Sequence, residues 1–337
     1  MMSTRYYLTK RGAYYQIGWV EGNRRKWKST KRTTKADALA FLKSFETENE
    51  KEVEPLRLSQ FTELFRTRIN GTIRKSTLRP YLMSLKSFEK VIGEKLLSEY
   101  TVNDIENYKQ KRLETVSPTT LNIELRSLKS TFNSAVKWGL LQENPFRKVS
   151  LLKVPQKSPI YLTKEDFKKL MGVVKEPLLR DVFLFAVLTG FRKGEILNLK
   201  WSGVDFQKRQ VTIENSDGFT TKSGKSRTVP LNDAVFDMLS KRNSGRNGCE
   251  YVFHRKGYKL NDLYLTHRFK KYVVDLGLNP QLHLHSCRHT AASWLVDAGV
   301  SLYVVQNILG HANIATTQIY SHLSQNTLHE SVNKVSL

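Results

Sequence analysis

The chain has 337 residues, with 55 Lys+Arg against 31 Asp+Glu and a formal net charge of +24. That length accommodates two or three domains with sizeable cores, and so large a positive field favours a polyanionic partner, nucleic acid first and an anionic membrane surface second. No segment approaches the roughly 18 consecutive apolar residues of a membrane helix, the segment Met1 to Lys10 lacks a secretory signal's apolar run, and Cys249 and Cys287 form no Cys-x-x-Cys pair, so no zinc cluster or disulfide framework is expected and a reducing cytoplasm is the expected compartment.

Residues 1–35 are basic and aromatic, with ten basic residues facing the single acid Glu21. Arg5–Leu8, Ala13–Val20 and Arg24–Thr30 read as three short strands, punctuated by Gly12 and by the turn Glu21-Gly22-Asn23. Thr34 then caps a helix with Ala38, Leu39, Leu42 and Phe45 on one face. Of Tyr14, Tyr15, Trp19 and Trp27, at least half are expected to form this module's own core, and the remainder a surface for nucleic acid together with Arg24, Arg25, Lys26 and Lys28. Glu46–Pro55, acidic and ended by proline, reads as a linker.

From Leu58 to about Val149 the pattern is helical. Phe61, Leu64 and Phe65 make one apolar face; Leu78, Leu82, Leu85 and Phe88 a second; Ile105, Tyr108 and Leu113 a third. Ser117-Pro118-Thr119 starts a fourth helix carrying Leu121, Leu125, Leu128 and Phe132. Lys75, Arg79, Lys86, Arg126 and Lys129 lie between the apolar positions, which is the pattern either of a solvated face or of contact with nucleic acid. A second linker, Lys153–Pro159, leads to Thr163-x-x-Asp166, the form of a helix cap. Asp181–Leu188 reads as an apolar helix closed by Gly190. Gln210–Glu214 and Phe219–Lys222 read as a hairpin around Ser216-Asp217-Gly218, with Arg227–Leu231 as a third strand. The pattern is helical again from Asn261.

Four segments of this last region carry chemistry. They are Thr189-Gly190-Phe191-Arg192-Lys193-Gly194-Glu195; the turn from Thr221 to Leu231 with Lys222, Lys225 and Arg227; His285-Ser286-Cys287-Arg288-His289-Thr290; and Leu309-Gly310-His311, followed by Ile319-Tyr320-Ser321-His322. In order and spacing these elements closely resemble the tyrosine recombinases, or phage integrase family, over about residues 160–322 and more loosely over the helical region. Two guanidinium groups can clamp the non-bridging oxygens of a phosphodiester bidentately. The resemblance implies that Arg192 and Arg288 do so, that Tyr320 attacks phosphorus to give a 3′-phosphotyrosine and a free 5′-hydroxyl, and that Lys222 protonates the leaving oxygen. It further implies that His285 assists proton transfer at the nucleophile, that His311 hydrogen-bonds the phosphate and that Glu195 buttresses the first arginine's helix. No cofactor and no metal are expected.

Lys225 rivals Lys222 on the same turn, and Tyr303 and Tyr272 rival Tyr320; the family pattern favours Lys222 and Tyr320. Where the family often has leucine this chain has Cys287, small and apolar enough to be buried in its place with little threat to function, though a thiol beside the site could bring oxidation sensitivity. The tail Leu323–Leu337 has an apolar stripe of Leu323, Leu328, Val332 and Val335 that docks either on a neighbouring subunit or on its own domain.

The expected fold is multidomain α+β. Residues 1–54 would be an arm-type DNA-binding module and linker, 55–155 a helical core-site binder, and 156–337 a mixed, mainly helical catalytic domain with a small antiparallel sheet. The first module resembles that of integrases of phages and mobile elements. The expected partners are double-stranded DNA at attachment sites, a homotetramer assembled on it around a four-way junction, and accessory DNA-bending or directionality proteins, in a bacterial cytoplasm beside the nucleoid. A topoisomerase-like nicking-closing enzyme and a catalytically dead DNA-binding regulator are the rival readings.

Overall fold

The computed structural model describes residues 6–21, 24–49, 55–155, 158–215 and 226–324. The chain forms two compact units, Met1–Pro155 and Gln156–Leu337.

The first unit opens with an antiparallel sheet in the order β1 (Tyr7–Arg11), β2 (Tyr14–Glu21), β3 (Arg24–Ser29). The first strand lies later than its expected Arg5–Leu8. Arg11 pairs with Tyr14, so the strand runs straight into a two-residue turn in which Gly12 takes φ +63. Helix α1 (Lys35–Asn49) covers one face of the sheet; it runs on through the start of the expected linker, whose residues 50–54 lie outside the described set. Thr34 caps it, accepting from the Asp37 N–H. Ala38 and Phe45 are buried at helical spacing, whereas Leu39 falls one step off that stripe and is exposed.

Pleating divides the sheet's residues between two faces. Trp19 lies on the helix side, its ring 5.6 Å from Phe45, and Lys28 sits over Phe45 on the same side. On the opposite face Tyr7 and Trp27 meet edge to face across Gly18, where a Cβ would come within 2.6 Å of the Trp27 ring. Arg11 stacks on Trp27 at 4.3 Å.

Four helices follow as the periodicity predicts: α2 (Leu58–Ile69), α3 (Lys75–Ile92), α4 (Val102–Leu113) and α5 (Pro118–Lys137). Phe61, Phe65, Leu85, Phe88, Ile105, Leu128 and Phe132 fill their core. Leu113, at the end of α4, is exposed instead of buried. Asn122 fastens the exit of this unit, donating to the Leu152 carbonyl and accepting from its N–H, both at 2.9 Å. One polar cluster was not evident from the sequence. Glu124 accepts from the Tyr108 hydroxyl at 2.7 Å and from Arg112 through two bonds at 2.8 and 3.0 Å. Burial first, and then the neighbouring carboxylate, keep the Tyr108 phenol protonated.

The second unit runs α6 (Lys164–Val173), α7 (Pro177–Thr189), α8 (Lys193–Leu197), β4 (Val204–Asp205), β5 (Gln210–Ile213), β6 (Arg227–Pro230), α9 (Asp233–Ser244), a small β7–β8 hairpin (His254–Arg255 and Tyr258–Lys259), α10 (Asp262–Asp275), α11 (Ser286–Asp297), α12 (Leu302–Leu309) and α13 (Ala315–Gln318). Thr163 caps α6 as expected, accepting from the Asp166 N–H at 3.0 Å. The apolar helix starts earlier than Asp181 because Pro177 occupies its first turn, where a missing N–H costs nothing. The small sheet has the order β4-β5-β6; β5 pairs antiparallel with Arg227–Pro230. The expected strand Phe219–Lys222 lies outside the described residues. Helix α11 is the spine of the unit. Thr290 accepts from the Leu162 N–H, and Trp294 donates to the Leu162 carbonyl, tying the segment before α6 to it.

Glu124→Ala removes the charged acceptor shared by a buried hydroxyl and a guanidinium, leaving them only Ser87 and Thr115, and is expected to destabilise the helical region by about 1–3 kcal/mol. Glu124→Leu combined with Tyr108→Phe and Arg112→Leu should recover most of that loss. Urea unfolding of the three proteins checks it, and an unchanged midpoint for Glu124→Ala would remove the cluster from the account of stability.

Candidate active site

The site is assembled on two left-handed glycine turns. Helix α7 ends at Gly190 with φ +66, and helix α12 ends at Gly310, also at φ +66. A side chain is strained at either position. Space forbids one as well: a Cβ on Gly190 would lie 2.4 Å from Leu309, and one on Gly310 2.7 Å from the Arg227 side chain.

These turns present carbonyl oxygens to both expected arginines. Arg288, on α11 and only 3 % exposed, donates to the Gly190 carbonyl at 2.7 Å and to the Leu309 carbonyl at 2.6 Å. Arg192, just before α8, donates to the Gly310 carbonyl at 3.2 Å. The successive carbonyls of Leu309 and Gly310 therefore take one guanidinium each. Burial, and then the neighbouring Arg192 and Arg227, pull the Arg288 pKa down to about 9, which still leaves it charged at neutral pH.

Glu195 is the counter-charge. Its carboxylate is buried on α8, accepting from the Arg192 N–H at 2.8 Å and from its guanidinium at 2.9 Å. It also accepts a bidentate pair from Arg227, at 2.8 and 2.7 Å. Burial alone would raise its pKa. The Arg227 bonds and charge, then those of Arg192, outweigh that and hold it below the carboxylate range. Arg227 lies 4.9 Å from the centre of the Phe191 ring. Arg227 carried no expected role, since it reads in the sequence as any strand cation would. Glu195 caps α8, as expected of a residue that buttresses the first arginine's helix, and in addition holds two arginines.

His311 follows Gly310 directly, and its Nδ1 is 2.9 Å from the Thr317 hydroxyl. Desolvation, then Arg288 and Arg192, push its pKa down to about 4. His285 precedes α11 and remains solvent-exposed. Partial desolvation, then His289 and Arg288, push it to about 4 as well. Both rings are neutral at pH 7, and an anionic phosphate alongside would raise them again. Tyr320 is 1 % exposed in a small core with Ala291, Ala292, Val305 and Leu309. Its hydroxyl lies 2.5 Å from Nδ1 of His289, a residue the motif contains but to which the sequence assigned nothing. Burial drives the phenol up to about 12, against the pull of Arg288.

Arg192, His285, Arg288, His311 and Tyr320 thus come together. Lys222 and Lys225 lie outside the described residues, as does the tail beyond Ser324. The rival tyrosines stand elsewhere: Tyr303 is 69 % exposed on α12, and Tyr272 on α10 packs edge-on against Phe183. Cys287 takes the buried place expected of it, and that burial argues against the oxidation sensitivity also expected. It is fully buried and burial pushes its pKa up to about 12, so it is an inert core thiol and not an oxidation-sensitive one. Arg24, Arg25, Lys26, Lys28, Lys75, Arg79 and Lys129 are all exposed. Among the described residues no group of side chains is arranged to hold a metal ion, and no helix is long and apolar enough to cross a membrane.

A group whose pKa is depressed on folding contributes stability above its unfolded value and loses it as pH falls through the folded one. Glu195 should therefore weaken the second unit as pH drops below the ordinary value of 4.5. Glu195→Gln should flatten that acid limb and lower stability at pH 7. Melting temperatures of the two proteins across pH 3–7 test this; parallel curves would contradict it.

Residues 161–327 match the phage integrase family and residues 55–153 the phage integrase N-terminal domain. The chain is 27 % identical over 270 residues to a tyrosine recombinase of Thermosipho africanus, covering 77 % of this chain and 93 % of that one. It is similar in fold to the Tn1549 transposon integrase in complex with transposon right end DNA, at a TM-score of 0.70 and 20 % identity over 82 % of this chain and 99 % of that one. It is similar also to lambda integrase, solved as a dimer on a COC′ core site, at 0.69 and 18 % identity over 95 % of each chain. The chain belongs to the phage integrase family of tyrosine recombinases, enzymes that break and rejoin DNA strands.

Proposed function

We propose that this recombinase exchanges strands between two specific DNA sites, integrating or excising a mobile element, with Tyr320 as nucleophile. The observation that carries the reading is the Leu309–Gly310 turn, which receives Arg192 and Arg288 on adjacent carbonyls and leads directly to His311 and on to Tyr320. A scissile phosphate held by the two guanidinium groups would lie at the one place in the unit where nucleophile, histidines and paired positive charge converge.

Tyr320 attacks phosphorus, storing the bond energy in a 3′-phosphotyrosine, and the freed 5′-hydroxyl later attacks that linkage on the partner duplex. Arg192 and Arg288 stabilise the charge of the five-coordinate transition state. His311, steadied by Thr317, donates to a phosphate oxygen. Lys222, from the family pattern, protonates the leaving 5′-oxygen. Two exchanges in sequence pass through a four-way junction, for which a homotetramer on the DNA is the natural assembly.

The three modules divide the labour as 1–54, 55–155 and 156–337. In the first, the sheet face away from α1 gathers the exposed Tyr7, Arg11, Tyr14 and Arg25 around the half-buried Trp27, a set of cations and aromatics suited to distal arm sites. Lys75, Arg79 and Lys129 supply phosphate contacts at the core site. Accessory DNA-bending or directionality proteins complete the expected partners.

Tyr320→Phe should bind core-site DNA like the wild type and form no covalent adduct on a denaturing gel; an adduct would remove Tyr320 from the role. Arg192→Lys keeps the charge and loses the planar fork, so cleavage should fall by about 10²-fold or more at nearly unchanged DNA affinity. Near-normal cleavage would place Arg192 away from the phosphate.

Removing residues 1–54 should abolish binding at arm sites and leave cleavage of an isolated core site intact. Binding by the removed module should weaken by about 0.9 in log affinity per phosphate contact for each decade of salt. A truncated protein that still recombines full attachment sites would refute the arm role. Relaxation of plasmids lacking any cognate site would instead favour a nicking-closing enzyme.

A further inference from the structure

The family resemblance gives proton transfer at the nucleophile to His285, but in the structure a different histidine faces the Tyr320 hydroxyl. We propose that His289 accepts the proton of the Tyr320 hydroxyl as that oxygen attacks phosphorus. The inference rests on Tyr320 being the nucleophile.

Three observations carry it. The first is geometric: the reacting oxygen lies 2.5 Å from Nδ1 of His289, within direct reach for proton transfer. The second is the frame. His289 is on α11, one residue from Arg288, whose guanidinium is fixed by two carbonyls. Any phosphate that Arg288 binds is thereby placed by the same helix that places the acceptor. The third is the position of the other candidate. His285 lies one helical turn before His289 and stands edge-on to it, with ring centres 5.1 Å apart. Among the described residues its side chain makes no hydrogen bond, and it is the more solvent-exposed of the two. His285 is therefore placed toward the open side where DNA arrives, and His289 toward the buried phenol.

The charge state agrees. The groups facing His289 are His283, His285, Arg288, His311 and the Tyr320 phenol. Burial first, then His283 and Arg288, lower its pKa, so the ring is neutral at pH 7 with a lone pair to offer. In cleavage the Oη–P bond forms and the P–O5′ bond breaks. The phenol proton moves to His289, and the electron pair of the broken bond stays on O5′, which is protonated by the reaction's general acid. In rejoining the bond order reverses, and the imidazolium returns its proton to the departing tyrosine oxygen. The phosphate anion that sets attack in motion also favours the imidazolium.

The test uses full-length protein and a nicked core-site substrate, in oxygen form and with a 5′-bridging sulfur. His289→Asn keeps an acceptor near the Nδ1 position but takes no proton at neutral pH; His289→Ala removes both. Both should bind core DNA like the wild type and cleave about 10²-fold or more slowly, equally on the two substrates, because sulfur relieves only the leaving-group side. The rate of His289→Asn should climb with pH as phenolate forms, and added imidazole should restore part of the rate of His289→Ala. Wild-type cleavage by His289→Asn would reduce His289 to an anchor and overturn the proposal. Faster cleavage by His289→Ala would make the bond a resting latch and overturn it too. A defect that disappears on the sulfur substrate would move His289 to the leaving group. Should His289→Ala fail to bind DNA, the asparagine variant decides alone. Tyr320→Phe separates the two levels: an adduct from that protein sinks the nucleophile assignment, whereas an inactive Tyr320→Phe beside normal His289 variants sinks only the present inference.

Discussion

Three guanidinium groups, those of Arg192, Arg227 and Arg288, crowd one region of the catalytic unit, and the buried carboxylate of Glu195 is the charge that lets them stay there. Like charges brought out of water repel strongly unless fixed dipoles and an opposite charge compensate. Glu195 compensates Arg192 and Arg227 directly. Among the described residues Arg288 bonds to no carboxylate and relies on two carbonyl oxygens. The arrangement is deliberately short of negative charge. A phosphodiester supplies what is missing, so substrate binding completes the electrostatics of the fold instead of disturbing it.

The carbonyls must face inward for this to work, and that requirement reaches back to the two glycines. A helix C-terminus leaves carbonyl groups without intrahelical partners. At Gly190 and Gly310 the chain turns left-handed, and those oxygens are spent on arginines in place of water. The arginine and Leu-Gly-His elements lie far apart in sequence, yet they share one structural purpose. A side chain at either glycine would push on Leu309 or on Arg227, and so on the geometry of both clamps.

This division explains what was legible in the sequence. Helices α2 to α5 and α7 announced themselves by their apolar spacing, and α5 and α6 by their caps, Ser117 and Thr163. Arg192, His285, Arg288, His311 and Tyr320 were legible because each sits in an ordered motif whose chemistry demands its residue type. Arg227 and His289 were not. Each lies inside a recognised segment, but a strand cation and a helix histidine have many ordinary uses, and only the fold brings one to Glu195 and the other to the phenol. The shift of the first strand toward Arg11 was hidden for another reason. Gly12 signals a turn but not how few residues the turn takes, and the cross-strand register that settles it is non-local. The split of the sheet's aromatics is likewise a matter of facing: Trp19 and Trp27 look alike in sequence, yet one packs on Phe45 and the other is stacked by Arg11.

Burial of Tyr320, the proposed nucleophile, has a consequence for the order of events. With its pKa raised to about 12, the phenol of Tyr320 is ionised in only about one molecule in 10⁵ at pH 7. Of its surroundings, Arg288 is the charge that favours the ionised form. A phosphate bound to Arg288 cancels much of that help, so a free phenolate becomes scarcer at the moment it would be needed. The same phosphate makes an imidazolium nearby more favourable. Substrate binding therefore penalises ionisation ahead of attack and favours transfer to a neighbouring ring in step with it. On this proposal, a tyrosine kept protonated until phosphate, arginines and imidazole are all in place would not react with stray electrophiles, and its chemistry would begin only on bound DNA.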